Sequence, residues 1–272
     1  MTAVPAKIEI ESALAHRFGP AFQRREKQPI EVLPTGVSEM DAFMNGIPRG
    51  AITEIVGAIS SGRISLLLST LALATGQEET CALVDCNDTF DLCSAKTARV
   101  DLERVLWVRC HHRLERAFKA TDLLLQSGGF GLVVLNLADV AAKCARRIVS
   151  SWWFRFRRAL ENTPTALIVI TPIACVRSCA RMVLAVNKEA DVWFAAGASV
   201  VKNEDAKLRI NRASAIAHAR HLSLVTESAQ NRPAASQLPH SRLFRGICVR
   251  VNQERPTAWI DGPVKFSTRV YI

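Results

Sequence analysis

The stretch that most constrains the fold lies between residues 52 and 68. A β-branched run ends at Gly57, a short loop leads to Gly62, and apolar residues suited to a helix follow. The two glycines have the spacing of the motif G-x-x-x-x-G-K-[ST], in which backbone N–H groups wrap a phosphate at the start of a helix. The pattern predicts a P-loop, a phosphate-binding strand–loop–helix unit. Its expected nucleotide contacts are Gly57, Ser60, Ser61, Gly62, Arg63, Ile64 and Ser65.

Two positions of this loop depart from the motif. Arg63 stands where the phosphate-binding lysine belongs, and Ile64 stands where a hydroxyl would hold Mg²⁺. Ser65, one residue later, replaces that hydroxyl only in part. Arginine keeps a positive charge, but its planar fork does not substitute cleanly for an ammonium group. The sequence therefore predicts the shape of a P-loop with impaired chemistry.

Downstream of the loop, strands and amphipathic helices alternate. The predicted strands, nearly continuous runs of valine, isoleucine and leucine, span residues 80–86, 104–110, 131–137 and 165–171. The predicted helices between them span residues 91–99, 114–126 and 143–162. This pattern is typical of a parallel sheet covered on both faces. The fold class is therefore α/β, doubly wound and mainly parallel.

The last third of the chain has a different pattern. Short strands without intervening helices, which suggest an antiparallel extension, are predicted at residues 181–186, 191–196, 246–252 and 257–260. Residues 197–241 form a polar, basic insertion, which we expect to be mobile and partly helical over residues 199–224. The predicted organisation is an N-terminal helix (8–17) and linker within residues 1–32, a P-loop core (33–196), the insertion (197–241) and C-terminal strands that complete the core (242–272).

Composition narrows the class of protein. The chain has 35 basic and 25 acidic residues, a formal charge of +10, which favours acidic partners such as nucleic acid, although solubility also explains it. Its eight cysteines include no C-x-x-C pair, which predicts reduced, buried thiols. Because we find neither a secretion signal nor an apolar run long enough for a bilayer, we expect a cytoplasmic protein without a membrane segment.

Local signals give three further expectations. Ser38 is a candidate N-cap for a helix carrying Met40 and Met44, and Asp88 or Thr89 for the helix at residues 91–99. His111-His112-Arg113 is interpreted as a loop with satisfied histidines. No metal site is predicted.

The ordered set of motifs resembles the bacterial RecA recombinases over residues 8–186. The segments that carry the resemblance are Leu33-Pro34-Thr35-Gly36, Asp41, residues 46–50, 54–57, 60–62, 83–85, 100–106, 114–117, 125–129 and 132–136. Within that superfamily the chain looks most like the short RecA-derived proteins of the ImuA/SulA-like kind, associated in bacteria with the DNA-damage response. The resemblance implies a RecA-like fold, with ATP as the nucleotide.

The resemblance also implies losses in the catalytic machinery. The carboxylate that orients the attacking water falls on Asn87, and the Walker B aspartate falls on Asn136. A neutral amide cannot act as a general base and is a poor partner for metal-bound water. We therefore expect no hydrolysis, at most weak ATP binding, and little affinity for Mg²⁺.

The two DNA-contacting loops that the resemblance implies are short. Ten residues, 138–147, follow the Walker B strand, and only a few around residues 176–178 follow the next strand. Strand exchange is therefore not expected, and the resemblance leaves oligomer formation open.

A stretch rich in aromatics and arginines follows the first short loop. Its candidate contacts to single-stranded DNA or to a partner are Arg146, Arg147, Arg155, Arg157 and Arg158. On a helix, however, Val149, Trp153, Phe156 and Leu160 form one apolar stripe, which favours packing on the sheet with the arginines in solvent.

Three functions remain open from the sequence. The leading hypothesis is a hydrolysis-deficient accessory protein of bacterial DNA repair, the SOS response or translesion mutagenesis, acting through a polymerase or recombinase subunit and through DNA. The alternative is an ATP-dependent recombinase-type ATPase that uses Arg63 and Ser65 with Asp85, Asp88 or Asp139. The second alternative is a cell-division regulator of the SulA kind.

Overall fold

The computed structural model describes residue 17 and residues 31–195, 198–202, 244–255 and 263–268. The chain divides into two compact units, residues 1–30 and residues 31–272. In the first unit only Arg17 is described, in a helical conformation, so the rest of the helix predicted at residues 8–17 lies outside the described residues. The predicted strand at residues 257–260 and most of the predicted insertion also lie outside them.

The elements of the second unit alternate along the chain. The strands are β1 (Val32–Leu33), β2 (Ile47–Pro48), β3 (Ile52–Gly57), β4 (Cys81–Asp85), β5 (Val105–Arg109), β6 (Leu132–Asn136), β7 (Ala166–Thr171), β8 (Ala180–Ala195), β9 (Ala198–Lys202), β10 (Phe244–Arg255) and β11 (Val264–Ser267). The helices are α1 (Ser38–Met44), α2 (Arg63–Gly76), α3 (Leu92–Thr97), α4 (Leu114–Ser127), α5 (Ala142–Arg146) and α6 (Ser150–Leu160), with 3₁₀ turns at Leu102–Arg104 and Arg177–Cys179.

Nine strands form one mixed sheet in the order β11-β10-β8-β3-β7-β6-β4-β5, with β9 also paired to β8. The six strands from β8 to β5 run parallel, whereas β9, β10 and β11 pair antiparallel. β1 and β2 form a separate antiparallel pair. The predicted α/β class, with a mainly parallel sheet and an antiparallel C-terminal extension, is confirmed.

Helices cover both faces of this sheet because its central strands have no polar face. In β6, Leu132 and Val134 point into one core with Leu66 and Leu71 of α2. The alternate residues of β6 point into the opposite core, with Phe118 of α4 and Phe156 of α6. Alternation of side chains along each strand thus divides one continuous apolar run between two cores.

An aromatic cluster anchors α6 to α4. The rings of Phe118 and Phe156 stack with centroids 5.7 Å apart, and Trp153 meets Phe118 edge to face at 5.1 Å. Trp153, Phe156 and Leu160 are buried, as the apolar stripe predicted. Val149 does not belong to the stripe, because it precedes α6 in an extended conformation and is 64% exposed. The single helix predicted at residues 143–162 is therefore two helices, α5 and α6.

Both predicted N-caps are wrong. Val37 occupies the N-cap of α1, and the carboxylate of Asp41 instead accepts hydrogen bonds from the N–H and hydroxyl of Thr35 at 2.7 and 2.8 Å. In α3 the cap is Asp91, whose carboxylate accepts from the N–H groups of Cys93 and Ser94.

The C-terminal strands also differ from the expectation. The segment predicted at residues 181–186 and residues 191–195 of the segment predicted at 191–196 belong to one sixteen-residue strand, β8, and residue 196 lies outside the described residues. Residues 198–202 form β9 rather than a helix, and β11 was not expected. All eight cysteines are free, but Cys93 and Cys144 are exposed rather than buried. Within the described ranges, no helix has both the length and the apolarity needed to cross a membrane.

Replacing Trp153 with alanine is expected to lower the free energy of unfolding by about 3–5 kcal/mol, because it opens a cavity in the aromatic cluster. The matched control is Phe154→Ala on the same helix, where the side chain is 49% exposed, and its cost is expected to stay below about 1 kcal/mol. Urea denaturation of the two variants measures the difference. Equal losses would contradict the assignment of Trp153 to the core.

Candidate functional site

The glycine-bounded loop has the backbone of a phosphate cradle. β3 ends at Gly57, and α2 begins at Arg63 after a loop in which Ser60 and Gly62 take positive φ angles of 61° and 98°. No side chain caps the N–H groups of the first turn of α2. These groups and the positive end of the helix dipole suit an anion.

Close packing requires glycine at both ends of this loop. A Cβ atom on Gly57 would lie 2.6 Å from the carbonyl oxygen of Val186, and one on Gly62 would lie 2.5 Å from Cγ2 of Val249. Because Val186 belongs to β8 and Val249 to β10, the C-terminal extension packs directly against the loop.

The side chain of Arg63 points into the protein. It is 3% exposed, and its Nη1 donates to the carbonyl oxygens of Gly57 and, at 3.2 Å, of Thr171. Its Nη2 donates to the carbonyl oxygen of Ala138 at 2.8 Å and lies 3.8 Å from Oδ1 of Asp139. Burial lowers the pKa of Arg63, and the charge of Asp139 raises it in part. The cation is therefore directed at backbone carbonyls beneath the loop.

The outer residues of the loop offer little to a metal ion. Ile64 and Ser65 are both exposed on the first turn of α2, and the Ile64 side chain has no oxygen. Ile59, at the tip of the loop, is 80% exposed. Among the described residues, no group of three or more His, Cys, Asp or Glu side chains is arranged to hold a metal.

Asp85 and Asn136 form a closed hydrogen-bonded pair at the carboxyl ends of β4 and β6. They are direct register partners, and Nδ2 of Asn136 donates to Oδ1 of Asp85 at 3.2 Å. The other carboxylate oxygen of Asp85 accepts from the N–H of Phe90, and Oδ1 of Asn136 accepts from the N–H of Ala138. All four polar atoms are engaged within the protein, so the Walker B position serves the fold.

Asn87 lies at the same edge of the sheet. Its Nδ2 donates to the carbonyl oxygen of Asp139 over 3.4 Å, and its Oδ1 is buried without a partner in the described part of the chain. Because an amide has no proton-accepting carboxylate, Asn87 can position a polar group but cannot serve as a general base.

A buried carboxylate, not singled out from the sequence, supports this edge. Oε1 of Glu54 accepts hydrogen bonds from the Thr171 hydroxyl at 3.1 Å and from the N–H groups of Cys175 and Val176 at 2.7 and 3.2 Å. Burial raises the pKa of Glu54, and these hydrogen bonds lower it in part. Its signal in the sequence is a lone acidic residue inside the apolar run of β3. Glu54 and Arg63 thus hold Thr171 through different atoms.

His111, in the loop after β5, contacts an acidic neighbour. Nδ1 of His111 lies 2.7 Å from Oδ2 of Asp88, and Arg109 lies 3.5 Å from the same oxygen. Burial acts to raise the pKa of Asp88, but hydrogen bonds and charge from His111 and Arg109 give a net lowering. The expected satisfied histidine is therefore found at His111.

The five arginines predicted to contact nucleic acid or a partner have different environments in the structure. Arg155 forms an ion pair with the buried Asp122 on α4 at 2.6 Å, which neutralises its charge. Arg157 is exposed, with its Nε 4.0 Å from the carboxylate of Glu161 and its guanidinium over the ring of Phe154. Arg146, Arg147 and Arg158 are exposed.

Two arginines without a local sequence signal extend this region. Arg177 donates to the hydroxyl of Ser150 at 3.3 Å, at the start of α6, and Arg255 donates to the carbonyl oxygen of Arg177 at 2.8 Å. We use the name basic surface for Arg146, Arg147, Arg157, Arg177 and Arg255. Arg177 joins α6 through Ser150 and joins β10 through Arg255, elements that are distant in sequence, and Arg146 and Arg147 lie at the end of α5, shortly before α6 begins.

The glycine-bounded loop between β3 and α2, at the carboxyl edge of a mainly parallel sheet, defines a P-loop α/β protein. The family model of the RecA N-terminal domain matches residues 10–150, and the chain belongs to this family.

The chain is similar to several RecA proteins. It is 29% identical to Protein RecA of Leifsonia xyli subsp. xyli over 164 residues, which cover 54% of this chain and 46% of the relative. It is 35% identical to Protein RecA of Clavibacter michiganensis subsp. michiganensis over 187 residues, covering 60% and 51%. The match to Protein RecA of Streptomyces coelicolor is 35% over 124 residues, covering 45% and 32%. The chain thus spans between about a third and about half of these relatives.

The residues present fit a Mg²⁺–nucleotide poorly. The backbone of the loop suits a phosphate, but Arg63 is turned away from it and Ile64 has no oxygen. Asn136 has both side-chain polar atoms engaged within the protein. Nucleotide contact by the residues from Gly57 to Ser65 stays a prediction.

The raised pKa of Glu54 can be tested through the pH dependence of protein stability. Because its folded pKa is raised, the folded state binds more protons than the unfolded state between the two pKa values, and stability rises as pH falls through that window. The quantity to follow is the unfolding free energy of the wild type minus that of Glu54→Gln. This difference should become larger as the pH is lowered from 8 to roughly 4.5, the ordinary pKa of glutamate. Chemical denaturation at several pH values measures this difference. A constant or opposite trend would exclude the assigned shift.

Proposed function

We propose that the chain is a RecA-fold, hydrolysis-deficient accessory protein of bacterial DNA repair that acts in the SOS response or translesion mutagenesis through protein partners and DNA. The observation that carries this proposal is the inward direction of Arg63, combined with amides at positions 87 and 136. The link to the damage response draws on the resemblance to the ImuA/SulA-like proteins.

Several independent losses support the absence of hydrolysis. Phosphoryl transfer depends on electrostatic stabilisation of the transferred group and on a residue that orients the nucleophile. Removing one such stabilising donor typically lowers kcat by about 10²–10³-fold. Here the side chains of Arg63 and Asn136 are hydrogen-bonded to other groups of the protein, and Asn87 lacks a carboxylate.

The carboxylates that the ATPase alternative would need also make contacts within the protein. Asp85 is fully buried and holds Phe90 and Asn136, Asp88 pairs with His111, and Asp139 lies beside Arg63. No contact in the described structure favours the ATPase alternative or the cell-division alternative.

The basic surface supports an acidic partner. Three of its arginines, Arg146, Arg147 and Arg177, lie on the short segments that follow β6 and β7, and the whole chain carries a formal charge of +10. Positive clusters of this kind attract nucleic acid or acidic protein surfaces by a salt-dependent interaction. A polymerase or recombinase subunit and single-stranded DNA are the partners that we propose.

Turnover of ATP is expected to be absent with and without single-stranded DNA. The measurement is phosphate release from Mg²⁺–ATP, with a known DNA-dependent ATPase as positive control. DNA-stimulated release that is abolished by Arg63→Ala would overturn the proposal and establish an ATPase with an unusual site.

Reversing charge at Arg146 and Arg147 is expected to weaken binding of a single-stranded oligonucleotide. Loss of two phosphate contacts should reduce the slope of log K against log salt by roughly 1 to 2. Fluorescence anisotropy at several salt concentrations measures the slope for the Arg146→Glu, Arg147→Glu double variant. The matched control is Arg113→Glu, Arg116→Glu, which makes the same charge change at exposed positions beside α4. Equal weakening in both double variants would point to net charge rather than to the basic surface.

A further inference from the structure

We infer that Arg63 is an internal ligand of the P-loop, which it holds in one ordered conformation without nucleotide. This inference rests on the proposed function and deepens it. The proposed function requires only that hydrolysis is lost, whereas the internal ligand makes the conformation of the loop independent of ATP.

The acceptors of Arg63 come from three different strand ends. The carbonyl oxygens that receive the guanidinium belong to Gly57 at the end of β3, Thr171 at the end of β7 and Ala138 just after β6. These three strands are consecutive in the sheet. One planar side chain therefore ties together three neighbouring strand ends and the loop that carries it.

Turning the Arg63 side chain outward would break hydrogen bonds in a buried environment. Guanidinium offers five N–H donors in a fixed fork, and a buried cation is stable only while its donors are paired. If Arg63 turned outward to a phosphate, its carbonyl acceptors would lose charge-assisted hydrogen bonds in a buried environment. Asp139 would also lose the nearest cation. A nucleotide must therefore displace these contacts before it gains any from Arg63.

Lysine and arginine differ in how many separate acceptors one side chain can match. An ammonium group is a compact charge with three donors on a flexible stem, whereas the rigid fork of arginine matches several acceptors at once. The arginine at this position is thus suited to joining carbonyl groups at separate strand ends. Its contacts fix the start of α2, where the N-cap residue Gly62 supplies no side-chain hydrogen bond.

The direct test is hydrogen exchange of the wild-type protein with and without millimolar Mg²⁺–ATP. We expect the amides of Ser61 and Leu66, which donate to the carbonyl oxygens of Ala58 and Gly62, to be protected without nucleotide, and ATP to change their exchange rates less than twofold. Unprotected amides that become protected on adding ATP would overturn the inference. That result would leave the proposed function standing if phosphate release is still absent, so the two failures are distinguishable.

Variants of Arg63 provide the second arm. Arg63→Met and Arg63→Lys are each expected to lower Tm by roughly 5 °C or more, because methionine donates to none of the strand-end carbonyls and the compact ammonium of lysine cannot match acceptors at three strand ends at once. Exchange of the loop amides should rise at least about tenfold in the variants that fold. The controls are Arg116→Met and Arg116→Lys at an exposed position, where Tm should change by less than about 2 °C.

Arg63→Lys also separates the internal ligand from a phosphate-binding role. A phosphate-binding Arg63 would tolerate lysine without loss of Tm, and the variant would bind a fluorescent ATP analogue at least as well as the wild type. Unchanged Tm and loop exchange in Arg63→Lys would overturn the inference. If neither Arg63 variant folds, hydrogen exchange of the wild type decides alone.

Discussion

One buried guanidinium determines how the carboxyl edge of the sheet is built. A cation at this depth needs acceptors around it, and the ends of β3, β6 and β7 supply them as backbone carbonyls. Glu54 reinforces the same edge by holding Thr171 and the loop that follows β7. The side chains of Arg63 and Asn136, at positions where a nucleotide site would contact its ligand, are therefore hydrogen-bonded within the protein.

Most of the parallel sheet could be predicted from the sequence, because strands buried on both faces appear as continuous apolar runs. The observed bounds of β4 to β7 lie within one residue of the predicted ones. The antiparallel part was harder, because the polar residues Asn187, Lys188 and Glu189 suggest a turn in the middle of β8. Asn187 and Lys188 are instead paired with Arg250 and Val249 of β10, and Glu189 lies at a β-bulge beside them, where it accepts hydrogen bonds from Arg250 and Lys265.

The position of the candidate site could also be predicted, since the spacing of Gly57 and Gly62 is a local signal. The direction of Arg63 could not, because its acceptors Ala138 and Thr171 lie 75 and 108 residues further along the chain. The contact between Arg177 and Arg255 joins residues 78 apart, for the same reason. Pattern and spacing therefore identify the loop and its chemical losses, whereas long-range contacts decide what the substituted residue does.

The tie made by Arg63 also limits how such a chain can change during evolution. Lysine at this position would release three strand ends, while Ile64, Asn87 and Asn136 would still lack the groups that hydrolysis requires. Under the proposed function, that single substitution costs stability and brings no activity to offset it. Under the proposed function, substitutions at exposed positions therefore remain open to the chain at a lower cost in stability than a substitution at Arg63.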